Sequence, residues 1–139
     1  MSTLDNQLYI DAVIVKGIGR TLTVSIKHKN ESGDDFEAFD LRPYEIRFRV
    51  LGSADGDGVI LIEKIIAEDT DESTIGRITN GEGGEFSFTI TADDTHFLGL
   101  GGKPITLELL NQETRELVYN LTEGGVAQGE FSKITIVRP

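Results

Sequence analysis

Four short stretches of this chain alternate between apolar and polar residues, and this period of two constrains the fold more than any other feature. In "TLTVSIK", Leu22, Val24 and Ile26 face one way while Thr21, Thr23, Ser25 and Lys27 face the other. In "YEIRFRV", Ile46, Phe48 and Val50 alternate with Glu45, Arg47 and Arg49. "EFSFTIT" sets Phe86, Phe88 and Ile90 against Ser87, Thr89 and Thr91, and "ITLELLN" sets Ile105, Leu107 and Leu109 against Thr106 and Glu108. Successive side chains of a strand point to opposite faces, so each stretch reads as a strand that buries one face. Its β-branched and aromatic content suits a pleated, half-buried surface.

Further strands are less regular. "LYIDAVIV" and "VILIEKII" are apolar on both faces, as in strands covered on both sides or lying in an interface. "ELVYNL" and "KITIV" complete the set. Turns rich in Gly, Asp and Asn separate them. "NQETRE" and "GSADGDG" read as hairpin loops, and "AEDTDEST" reads as an irregular acidic loop. Helix is confined to "TADDTHFLG", where Thr91 and Asp94 stand at capping-box spacing and predict a helical turn near Ala92–Leu98. Strands at short spacing with almost no helix predict an all-β chain, an antiparallel two-sheet β-sandwich. The twelve apolar residues of the four alternating stretches then point between the sheets. Residues 1–19 are expected to form an N-terminal arm or extra strand, and residues 20–139 one sandwich domain.

Composition narrows the function. The 139 residues contain no cysteine, so disulfides and thiolate metal sites are excluded. The formal net charge of −11 repels phosphate backbones, so no nucleic-acid partner is expected. No apolar run approaches a membrane span, and the start, "MSTLDNQLYIDAVIVKG", lacks the basic and small-residue marks of a signal peptide. No membrane partner is expected either.

Candidate chemistry is sparse. In "SADGDGVILIEK", Asp55, Asp57 and Gly58 fit the third, fifth and sixth places of a calcium loop, but Lys64 occupies the closing place where a carboxylate is needed. Asp-Gly is instead a strong hairpin-turn signal. An irregular calcium site from Asp55, Asp57, Asp69 and Asp71 is the one metal alternative. His28 and His96 are the only histidines. His96 stands near Asp93 and Asp94, which suit the start of a helical turn electrostatically, and reads as exposed. "GLGGKP" and "GIGRTL" lack residues that a phosphate loop and a dinucleotide fingerprint require, and no G-x-S-x-G nucleophile motif occurs. The chain is therefore expected not to be an enzyme and to need no cofactor.

From Arg20 onward, the order of three parts resembles the N-terminal domain of the upper baseplate proteins of tailed bacteriophages. They are the strand "TLTVSIK", the Asp-Leu turn and strand "FDLRPYEIRFRVLG", and the long run from "GEFSFTIT" through the helical turn and hairpin to "KITIV". The resemblance implies an immunoglobulin-like sandwich. It also implies a structural role in the virion, as a tail or baseplate accessory protein made in the host cytoplasm. In "FDLRPYEIRFRVLG", Asp40 is expected to cap the turn before Pro43, Leu41 to enter the core, and Arg47 and Arg49 to lie on the outer face. Members of that family continue into a trimerising region and a distal receptor-binding part, and this chain has an extra strand in Met1–Gly19. On those departures, a head or neck decoration protein is the first alternative. A small calcium- or carbohydrate-binding sandwich is the second. The expected partners are other virion structural proteins and copies of the chain itself, as a homotrimer. The expected contact residues are Leu8, Tyr9, Ile10, Val13, Ile14 and Val15 of the N-terminal strand, with Arg47 and Arg49. A strand apolar on both faces would otherwise invite aggregation.

Overall fold

The computed structural model describes residues 2–3, 10–29, 36–52, 59–122 and 132–139. The expected alternation forms two packed sheets. The front sheet is centred on β11 (Gly101–Asn111), the longest strand. On one edge, β11 pairs antiparallel with β6 (Tyr44–Leu51), and β6 pairs with β7 (Ile60–Ile66). Its other edge is shared by β12 (Leu117–Asn120) and β13 (Lys133–Val137) in succession. Leu121 N–H donates to Leu107 O and Ile105 N–H donates to Ser132 O, which keeps both strands on the same side of β11. The N-terminal β2 (Asp11–Val15) pairs in parallel with β13 over five residues, and β1 (Ser2–Thr3) pairs in parallel with β12.

The back sheet has the order β3 (Gly19–Ser25), β10 (Glu85–Thr91), β9 (Gly76–Asn80) and β8 (Asp71–Glu72). A small hairpin of β4 (Lys27–Lys29) and β5 (Phe36–Ala38) follows β3. Lettered in chain order, β3, β9 and β10 are strands B, D and E and β6, β7, β11 and β13 are C, C′, F and G, so the back sheet runs B-E-D and the front sheet G-F-C-C′. That is the strand order of an immunoglobulin-like sandwich.

The core lies between the sheets, as the alternation predicts. Ile26, Ile46, Phe48, Val50, Phe86, Phe88, Ile90, Ile105, Leu107 and Leu109 are buried, and Leu22 and Val24 are half-buried against them. Phe48 of the front sheet stacks on Phe88 of the back sheet with ring centroids 4.3 Å apart. This aromatic contact joins the layers in a chain without cysteine. Leu41 is fully buried.

Local chemistry explains the connections. The Thr91 hydroxyl accepts from Asp94 N–H and the Asp94 carboxylate accepts from Thr91 N–H, so the capping box forms and starts α1 (Ala92–His96). The backbone N–H of Arg42 donates to Asp40 Oδ1 at 2.9 Å, closing the turn before Pro43. Gly76 has φ +139°, and a Cβ there would lie 2.2 Å from Ser87 O, so only glycine fits where β9 meets β10.

The structure departs from the sequence reading in the acidic stretch. "AEDTDEST" is not one irregular loop, because Asp71 and Glu72 pair with Arg77 and Gly76 as a two-residue edge strand. β9 also escapes the periodicity, since Ile78 is the only large apolar residue in "GRITN".

Candidate functional site

The outer face of the front sheet is built from the polar half of each alternation. Arg47 stands directly opposite Glu108 across the β6–β11 pair, and its guanidinium donates to Glu108 Oε1 through Nη2 at 2.8 Å and Nε at 3.0 Å. Arg49 stands opposite Glu63 across the β6–β7 pair, at 2.6 Å. Arg115 reaches Glu45 Oε1 at 3.2 Å, and Glu45 Oε2 is buried without a hydrogen-bond partner. Both arginines lie on the outer face as expected, with their charges already matched by carboxylates of the same sheet. Such pairs fix strand register more than they recruit a partner.

At the turn before β6, Arg42 holds Asp40. Side-chain and backbone hydrogen bonds from Arg42 lower the Asp40 carboxyl to about 2.

The N-terminal strand divides between core and surface. Ile14 is only 1% exposed and belongs to the core, which corrects its assignment as a contact residue: β2 turns Ala12 and Ile14 inward. Ile10 is half-buried against the same core. Val13 is 52% exposed and Val15 half-buried, so this side of the strand faces outward. Leu8 and Tyr9 lie outside the described residues.

Lys64 carries a role that the sequence did not reveal. Its side chain points inward from β7, is 8% exposed, and crosses to the back sheet. Its ammonium donates to Thr74 O, to Thr89 O at 2.6 Å and to Asp94 Oδ2 at 2.5 Å. All three of its N–H donors are thereby used. Burial alone would raise the Asp94 carboxyl. The hydrogen bond from Lys64, the Thr91 N–H and the nearby ammonium charge outweigh it and hold the carboxyl below its ordinary value. The inward lysine could be foreseen only from the phase of β7, with Ile62 and Ile66 on the same side.

The metal candidates do not gather. Asp55 and Asp57 lie outside the described residues. Asp69 and Asp71 are exposed, and Asp71 sits 3.9 Å from Arg77. Among the described residues, no group of three or more His, Asp or Glu side chains is placed to hold a metal ion.

A cleft of about 350 Å³ opens on the outer face of the back sheet, lined by Thr21, Asp71, Ser73, Arg77 and Thr89 among others. The Thr21 and Thr89 hydroxyls bond each other at 2.9 Å, and neither histidine lines the cleft. His28 packs edge-on against Phe39, and His96 is exposed on α1. Phe39, Tyr44 and Tyr119 pack on one another with centroids 5.5 to 6.0 Å apart, so these rings form a cluster rather than a flat sugar platform.

The surface also carries large apolar side chains. Ile18 is 70% and Phe97 78% exposed, and Leu100, Ile60 and Leu61 are exposed as well. Gly17 N–H bonds Thr95 Oγ1, and Lys16 Nζ reaches Leu98 O. These contacts bring the β2–β3 turn, which carries Ile18, against the helix that precedes Phe97 and Leu100.

No family model and no curated protein matches this chain. Among solved structures, the chain is similar to the ZIG-8–RIG-5 IG1–IG1 heterodimer, with a TM-score of 0.43 and 11% identity over 99% of this chain and 90% of that one. It is also similar to the ZIG-8 IG1 homodimer, with a TM-score of 0.42 and 12% identity over 99% of this chain and 87% of that one.

Proposed function

We propose that this chain is a non-catalytic docking module and a structural component of a tailed-phage virion, namely a tail or baseplate accessory protein. The observation that carries the docking role is the contrast on its surface. Arg47 and Arg49 on the outer face of the front sheet and the inward Lys64 are matched by carboxylates, while Ile18, Phe97, Leu100, Ile60 and Leu61 stay exposed. Apolar side chains left outside a charged surface mark places where protein partners bind. The order of the alternating strands, the Asp-Leu turn and the capped helical turn supports the phage assignment through its resemblance to upper baseplate proteins. In this reading the protein self-associates as a trimer, docks onto other virion proteins, and needs no cofactor. It works in the virion and in the host cytoplasm during assembly.

Deleting the coding gene from the source genome and imaging the resulting particles by negative stain tests this. Particles lacking a tail substructure, or arrested before tail completion, are expected. Particles of unchanged architecture and infectivity would contradict the role.

A further inference from the structure

Among the described residues, six cations pair with a carboxylate: Arg42, Arg47, Arg49, Lys64, Arg77 and Arg115. Lys27 on the β4–β5 hairpin makes no such pair, and neither do Lys16, Arg20, Lys103 and Arg138. Lys16 and Arg20 satisfy themselves on the carbonyls of Leu98 and Val13. These four share one end of the sandwich. Lys16 N–H bonds Val137 O, next to Arg138, and Gly99 lies beside the Lys103 ammonium. Ile18, Phe97 and Leu100 are exposed at this same end. The exposed carboxylate of its helix is Asp93. In a protein of net charge −11, this end is thus locally basic and apolar.

The opposite combination occurs on the flank where β7 and β8 form the edges of the two sheets. Ile60 and Leu61 are exposed there, followed by the exposed Glu68, Asp69, Asp71 and Glu72. Lys64 lends no charge to this flank because its ammonium is turned inward onto Asp94. Arg77 lies near it, 3.9 Å from Asp71. The first half of β7 pairs with β6 only, and the register shifts there between Val50 and Leu51.

We propose that the basic, apolar end at Ile18, Phe97 and Leu100 binds the acidic, apolar flank at Ile60–Leu61 and Glu68–Glu72 of a second copy of this chain. Charge selects the occupant. Strongly acidic copies repel one another through most relative orientations, and end against flank joins opposite signs around two apolar centres. Two different patches meet, so the contact is heterologous, and successive copies close into a ring when their rotation permits. The inference rests on the self-association in the reading above and names the surfaces that produce it.

The test uses full-length Phe97→Asp and Ile60→Asp, one substitution in each patch, with wild-type thermal unfolding required of both. Sedimentation equilibrium is measured for each variant alone and for their equimolar mixture. Wild type is expected to self-associate, with affinity falling as salt rises, and each variant alone to be monomeric. The mixture is expected to form a 1:1 dimer, because one variant keeps a working flank and the other a working end. A wild type that is monomeric at micromolar concentration would overturn the contact, as would a mixture that stays monomeric while wild type assembles. If either variant unfolds, Phe97→Ser and Ile60→Ser replace the pair with the same outcomes expected. A monomeric wild type that is still found in purified particles would remove this contact and leave the virion role standing.

Discussion

The ammonium of Lys64, on an edge strand of the front sheet, lies 2.5 Å from the carboxylate of Asp94 at the start of the helix that follows the back sheet. One carboxylate thus completes a capping box and ties the two layers together. Removing the lysine leaves a partly buried carboxylate and two carbonyls without their donor. Lys64→Ala is predicted to cost about 2–3 kcal/mol, less than breaking a fully buried pair because Asp94 keeps some contact with water. The exposed Lys27→Ala should cost less than about 0.5 kcal/mol. Urea unfolding of both variants measures this, and equal midpoints for the two would contradict the tie.

The same contact fixes a pH dependence. The folded Asp94 carboxyl lies below its ordinary value, so its contribution to stability is fully present above the unfolded value of about 3.9. The contribution is lost as pH falls from there through the folded value. The stability difference between wild type and Asp94→Asn should therefore be constant near neutrality and shrink below about pH 4. Denaturation series at several pH values check this, and a difference that grew on acidification would have the wrong sign.

The stacked rings of Phe48 and Phe88 join the sheets where a disulfide has no cysteines to form it. Phe48→Ala should cost about 3–5 kcal/mol, through lost burial and the cavity left behind. Phe48→Leu should recover more than half of that loss. Thermal unfolding distinguishes the two, and similar losses for both would mean that the ring stack, rather than the buried volume, carries the contact.

Asp40 should titrate at about 2 because Arg42 holds it from both side chain and backbone. In Arg42→Ala the carboxyl should rise toward the ordinary range near 3.9. Carboxyl chemical shifts followed through an acid titration report this directly. Both groups face water, so the shift reports turn geometry rather than a large share of the stability.

The parts of the fold legible in sequence were those with long, clean periodicity. Phe48, Phe88 and Leu107 announce their burial because polar neighbours alternate with them, and Thr91 with Asp94 announces the helix through its cap spacing. β9 and β8 stayed hidden because "GRITN" offers one large apolar side chain and Asp71–Glu72 none. Their pairing comes from the neighbouring β10, not from their own pattern. The surface was less legible still. In sequence Lys64 stands out only as the wrong residue to close a calcium loop, although its inward phase makes it an inter-sheet tie. Ile14 looked like half of an apolar interface, although β13 pairs its strand into the core. Ile18 and Phe97 lie far apart in sequence, and only the packing of the β2–β3 turn on the helix brings them to one end.

The most direct measurement of the proposed virion role is quantitative mass spectrometry of gradient-purified virus particles grown from the genome that encodes this sequence. The account predicts that peptides of this chain co-purify with the tail structural proteins at a fixed copy number per particle that fits a symmetric ring. Their absence from intact particles, with the protein present in the host lysate, would contradict it.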